Sequence, residues 1–100
     1  MKAVTLQKEG IKVVDTSVPT PNDSQVLVKV YACGLNRSDL LETQGQSFGH
    51  MGSNLKILGG EFAGEVIELG SKVSNLSKGD KVMCRGGSGW AEFALAHHLR

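Results

Sequence analysis

The sequence predicts a mainly β domain, a partly closed barrel carrying one short helix. Three observations predict it. Short runs rich in Val, Ile and Leu recur along the chain, each bounded by Gly, Pro, Asn or Asp. Glycines at 59, 60 and 64 fall inside a strand-like run, where they allow bends or close backbone approach in a curled sheet. Only one tract, 37–44, carries a helix pattern.

Residues 2–6 and 11–18 read as a hairpin turning at Glu9-Gly10, with β-branched residues in its second arm. Pro19 and Pro21, followed by Asn22-Asp23, then break the chain. The cleanest strand is 25–33, with Val26, Val28 and Val30 on one face and Leu27, Lys29 and Tyr31 on the other. Gly34 closes it. Asn36 is suited to cap the following helix, and Asp39 sits where a carboxylate meets free N–H groups and the helix dipole. Leu40 and Leu41 give that helix an apolar side, and Gly45 ends it. Residues 46–55 are polar and Gly-rich and read as a loop. Strand-like character returns over 57–69, over 81–84 behind the Lys78-Gly79-Asp80 turn, and over 90–96 behind Gly86-Gly87-Ser88-Gly89.

One hundred residues suit one domain, and 40% hydrophobic residues with 21% charged suit an ordinary core. Aromatic residues make up 5%, so that core must be mostly aliphatic. A net charge of +1 leaves no electrostatic footprint for nucleic acid or a membrane surface, which points to a small molecule or a protein surface as partner. No stretch reaches the ~20 apolar residues of a membrane span, and the first ten residues are no secretory signal. Cys33 and Cys84 could formally pair, but nothing else suggests a secreted scaffold. Buried thiols in a reducing compartment, the cytoplasm, are the expectation.

Four motifs carry a family likeness. The tract Val26-Leu27-Val28-Lys29-Val30-Tyr31-Ala32-Cys33-Gly34-Leu35-Asn36-Arg37-Ser38-Asp39 resembles the strand-to-helix signature of the medium-chain dehydrogenases/reductases. Gly59-Gly60-Glu61-Phe62-Ala63-Gly64-Glu65-Val66, Lys78-Gly79-Asp80-Lys81-Val82 and Gly89-Trp90-Ala91-Glu92-Phe93 resemble that superfamily's next three motifs, in order and at its spacing. The zinc-binding members place Cys and then His directly after the Cys-Gly-x opening, where this chain has Asn36 and Arg37. Their second ligand, a His, falls at Gly60, and the cysteine-rich lobe of their structural zinc is missing between Cys84 and Gly89. Arg and Gly cannot ligate zinc and Asn does so poorly.

The resemblance therefore implies the zinc-free quinone oxidoreductase branch. It implies a GroES-like N-terminal domain over residues 1–100, incomplete without the Rossmann domain and returning segments that follow in the family. It implies hydride transfer from NADPH to a quinone or activated enone, with no metal. Asn36 and Asp39 would be the catalytic residues, Asn36, Arg37, Ser38 and Asp39 would contact the cofactor, and Ser47, Phe48 and His50 would line the substrate side. The partners would be that substrate and the Rossmann domain of the same protein. An exposed docking face would also allow a homodimer. Quinone reductases usually carry a tyrosine just after Gly45-Gln46, where this chain has Ser47-Phe48. An enoyl reductase relative, or a non-enzymatic binding or assembly module, are the alternatives. The 100 residues alone are expected to be inactive, since no Gly-x-Gly-x-x-Gly turn leads from a strand into a helix.

Plainer roles compete at several positions. Asn36 and Asp39 form a helix start whatever else they do. Ser38 reads as solvated or helix-facing and Arg37 as an exposed helix arginine. Glu61 is expected to accept structural hydrogen bonds, and Cys33, Cys84 and Trp90 to sit in the core. His97 and His98, as strand neighbours, are expected to point to opposite faces at the surface.

Overall fold

The computed structural model describes residues 1–7, 10–36 and 56–99. The helix expected over 37–44 and the loop over 46–55 lie outside the described residues. So do Arg37, Ser38, Asp39, Ser47, Phe48 and His50. Among the described residues the chain is all strand and turn: β1 (Lys2–Gln7), β2 (Gly10–Asp15), β3 (Gln25–Cys33), β4 (Lys56–Ile57), β5 (Glu61–Leu69), β6 (Lys81–Arg85) and β7 (Phe93–His97).

These strands form two antiparallel sheets, one ordered β2-β1-β4 and the other β6-β5-β3-β7. The mainly β class is as expected, but among the described residues the sheets are not closed into one barrel. The two sheets remain separate ladders joined by a seam. Ala91 bridges Ala3, Val4 N–H donates to Trp90 O (2.8 Å), and Glu92 N–H donates to Lys2 O (3.1 Å). Trp90 N–H donates to Leu58 O just past β4 (2.8 Å), and toward the four-stranded sheet Val30 N–H donates to Glu92 O (2.9 Å). The segment 89–92 is thus spent on joining the sheets. This is why the last strand begins at Phe93 and not at residue 90 as expected.

The valine face of β3 holds the core. Val26 and Val28 pack with Phe62 and Val66 of β5, Cys84 of β6, and Ala94 and Ala96 of β7. Val73 and Leu76, from the connection before β6, pack against the same cluster. The opposite face is covered too, since Leu27 is buried as well. Thr5 is the buried polar residue of β1, and its hydroxyl donates to Lys12 O (3.1 Å), which offsets its desolvation.

Two irregularities bend the β3–β5 pair, at Leu27/Val28 and Val30/Ala32. The second leaves Tyr31 without a partner on β5. It also changes the phase of the strand, so that Ala32 pairs with Ala63 and Cys33 with Phe62. A run expected over 57–69 divides at Gly59, whose φ of 110° is costly for any residue with a Cβ. Gly64 permits close packing instead: a Cβ there would be driven into the Lys29 carbonyl oxygen and the Val28 side chain. The second arm of the hairpin stops at Asp15, short of residue 18: Thr16 N–H adds one further rung, to Met1 O (2.9 Å), and the two prolines follow. Asn22 then starts β3 with an Asx turn, its Oδ1 accepting from Ser24 N–H (3.0 Å).

Gly64→Ala should lower unfolding stability by about 3 kcal/mol, the upper range for overpacking, as read by urea unfolding. Gly87, with nothing near its missing Cβ, is the control. Its alanine variant should match the parent within about 0.5 kcal/mol.

Candidate functional site

β3 runs out at Cys33, and the chain leaves the ladder through Gly34, Leu35 and Asn36, which form one corner of the site. Both backbone groups of Gly34 are held. Its N–H donates to Glu61 O (3.2 Å), and its carbonyl accepts the indole N–H of Trp90 (3.1 Å). The Glu61 side chain lies against Gly34, so a Cβ at 34 would meet the carboxylate. Leu35, 80% exposed, and the exposed Asn36 stand beyond these anchors.

Concave surfaces flank the corner. One is a cleft of about 430 Å³ at the ends of β3 and β6 and the start of β5, walled by Cys33, Phe62 and Met83, with Glu61 and Arg85 among its lining. The other is a groove of about 540 Å³ between the N-terminal hairpin and the seam, lined by Val4, Val13, Tyr31, Leu35 and Trp90. Cys33 lines both. The cleft is predominantly apolar and has a charge of each sign in its wall, an arrangement suited to a flat organic ring with polar substituents.

Of the cofactor-contacting set expected from sequence, Asn36 is the member among the described residues, and it stands at this corner. Arg85 and Met83 were not singled out beforehand, although strand alternation could have found them. Val82 and Cys84 point inward on β6, which sends Lys81, Met83 and Arg85 outward. Met83 is 86% exposed.

The expected burial holds for Cys84 and fails for Cys33, which is exposed. Cys33 is the last residue of β3, where the strand leaves the covered part of the sheet. Both thiols are free. Phe62 pairs with Cys33 on one side and with Cys84 on the other, so two strand spacings, roughly 10 Å, separate the cysteines. That exceeds the ~7 Å span of a disulfide. Trp90 is half-buried, with its indole tied to the corner. Glu61 is exposed, its side chain laid along Gly34, while its carbonyl accepts the structural bond. His97 and His98 do not diverge. β7 ends at His97, and the two rings stack with centroids 4.7 Å apart. Asn75 secures His98 through its ring and its carbonyl. Among the described residues no group of three or more His, Cys, Asp or Glu is placed to hold a metal.

A polar network lies on the outer face beside the cleft. Tyr31 Oη–H donates to Glu65 Oε1 (2.8 Å), Lys81 Nζ donates to the same oxygen (2.6 Å), and Lys81 lies 5.2 Å from the Tyr31 ring centre. The hydrogen bonds from Lys81 and Tyr31 hold the Glu65 carboxyl below its ordinary value. The bond to Glu65 raises the Tyr31 phenol, and the same carboxylate raises Lys81. Burial raises the Cys84 thiol.

Similarity to known proteins agrees with this geometry. Residues 22–98 match the alcohol dehydrogenase GroES-like domain family. The chain is 43% identical over 84 residues to a quinone oxidoreductase-like protein 2 homolog of Nematostella vectensis, covering 80% of this chain and 23% of that protein. It is 39% identical over 89 residues to an NAD-dependent alcohol dehydrogenase of Sulfolobus acidocaldarius, covering 83% and 26%. Among solved structures, the quinone oxidoreductase of Coxiella burnetii superposes with a TM-score of 0.88 at 37% identity, over 97% of this chain and 34% of that one. A mycobacterial protein in complex with NADPH gives 0.86 at 27% identity, over 98% and 32%. The chain thus spans about a quarter of the length of the curated relatives it matches.

Two measurements test the site's chemistry. In the native protein one thiol, Cys33, should react rapidly with an aromatic disulfide reagent, and Cys84 only on unfolding. Tyr31 is the sole tyrosine, so its ionisation can be followed by near-UV absorbance. It should ionise above the ordinary tyrosine range, and Glu65→Gln should bring it back down. The network's support is present between the two ranges. Glu65's share is lost as pH falls through its lowered value, and the shares of Tyr31 and Lys81 are lost as pH rises through their raised ones.

Proposed function

The chain belongs to the alcohol dehydrogenase GroES-like domain family of the medium-chain dehydrogenases/reductases, and from that premise we propose that it is the N-terminal, substrate-side domain of a zinc-independent, NADPH-dependent quinone oxidoreductase. The observation that carries the reading is the corner at Gly34–Asn36. There Cys33 and Gly34 line an apolar cleft large enough for a nicotinamide or a quinone ring, and Asn36 follows two residues on in the chain. The quinone oxidoreductase names of the relatives and the NADPH complex of a structural neighbour support it.

The residues present suit one end of that cofactor. Cys33, Phe62 and Met83 offer apolar wall to a ring, and Asn36, Arg37, Ser38 and Asp39 follow Cys33 and Gly34 of that wall in sequence. Nothing comparable among the described residues cradles a pyrophosphate. The Gly86-Gly87-Ser88-Gly89 turn leads into β7 and not into a helix. The phosphates therefore call for a partner domain, and the Rossmann domain of the same protein is the proposed one. When bound, the nicotinamide supplies the hydride. This chain's part is to position the ring, line the substrate side through Ser47, Phe48 and His50, and keep water out.

The donor set argues against catalytic zinc. Asn36 and Gly60 stand where the zinc-binding members of the family have ligands, and neither replaces a thiolate or imidazole. The Sulfolobus relative keeps alive a second reading, an NAD-dependent alcohol oxidation. That chemistry would need a metal or another means to polarise the alcohol, which Asn36 and Gly60 do not provide. A reducing compartment, the cytoplasm, suits the two free thiols.

The first experiment is the intact mass of the protein as made in its own cells, followed by NADPH oxidation with quinone and enone acceptors. We expect a mass several times 10.6 kDa, turnover with a quinone, no stoichiometric zinc and no loss on chelation. A mass equal to that of this chain, with no NADPH oxidation, sinks the enzyme reading. Loss of turnover on chelation sinks the zinc-independent part of it.

A further inference from the structure

We propose that Trp90 is the positioning residue of this site. Its indole N–H fixes the direction in which the chain leaves β3, and so places Asn36. The proposal rests on the oxidoreductase reading for what Asn36 meets, but not for how Asn36 is held.

Past Cys33 the pairing of β3 with β5 ends. A strand end without partners would fray, and two hydrogen bonds prevent it. Glu61 O holds the Gly34 N–H, which continues the ladder by one step (3.2 Å). The Gly34 carbonyl receives the indole N–H of Trp90 (3.1 Å). With both groups of Gly34 engaged, the peptide plane between Gly34 and Leu35 is fixed. That plane sets where Leu35 and Asn36 begin.

Trp90 can hold because it is itself held on three sides. Its N–H donates to Leu58 O (2.8 Å) and its carbonyl accepts from Val4 N–H (2.8 Å). Its ring lies so close to Gly59 that a side chain there would strike it. The indole nitrogen is a donor only, so it needs an acceptor, and here that acceptor is the Gly34 carbonyl. The corner is thereby tied to the seam between the sheets, and through Val4 to β1. A phenylalanine or leucine would fill the space and leave the Gly34 carbonyl without its donor.

The test separates the hydrogen bond from the packing. In the intact protein, Trp90 is replaced by β-(3-benzothienyl)alanine, which keeps the bicyclic shape and carries sulfur in place of N–H. Trp90→Phe is the second variant. The isostere should lower the melting temperature by only a few degrees, shift the amide resonances of Leu35 and Asn36, and weaken NADPH binding about fivefold, the scale of one lost hydrogen bond. Trp90→Phe should do the same and melt earlier still. Unmoved Leu35 and Asn36 resonances in the isostere overturn the proposal. So does weakened NADPH binding in Trp90→Phe alone, which would make Trp90 a packing residue. If the unsubstituted protein binds no NADPH, the oxidoreductase reading falls, and the two resonances alone decide whether Trp90 places the corner.

Discussion

The structure depends on the segment 89–92. A two-sheet β domain must bury the inner faces of both sheets, yet a free sheet edge exposes a row of unmet backbone donors and acceptors. Here one short extended segment meets both needs. It gives hydrogen bonds to Lys2 and Leu58 and takes them from Val4 and Val30, so the three-stranded and four-stranded ladders share it. The core then needs few aromatic side chains. Val26, Val28 and Val66 are almost completely buried because ladders approach them from several directions.

The same constraint shapes the site. A segment that is to meet a ligand has to hold its geometry at the edge of the fold. Gly34 has no side chain of its own, and Glu61 lies across the space a side chain would have taken. The two clefts on either side follow from the β3 bulge at Tyr31. It turns Tyr31 out to Glu65 and Lys81 and brings Cys33 into the row of Phe62 and Cys84. One extra residue in a strand therefore decides which side chains line the groove and which line the cleft.

Much of this was legible in the sequence. The 25–33 strand was readable to the residue because alternating valines have a single physical interpretation, a pleat with one buried face. The residue types at Asn36, Arg37 and Gly60, on which the zinc-free proposal rests, were readable too, since ligand atoms are a matter of residue type. Other features were not readable. The division at Gly59, the loss of residues 90–92 from the last strand and the stacking of His97 on His98 all come from distant partners. Local pattern carries no record of Trp90 meeting Leu58. The exposure of Cys33 was missed for a related reason: a small apolar residue at a strand end is buried only if another element covers it, and in the described structure none does.

The seam also sets an order of events during synthesis. β1 can pair with β2 almost as soon as both are made, because six residue pairs join neighbouring stretches of chain. Its other edge has to wait. The bonds that finish it come from Leu58 and then from Trp90 and Glu92, so Lys2 gains its carbonyl's partner only ninety residues later. While the ribosome adds those residues, the nascent hairpin carries an open edge with the apolar Val4 and Leu6 beside it. The emerging chain is therefore most exposed to unwanted strand pairing in the interval before residues 89–92 appear, when most of the domain already exists and nothing yet locks it.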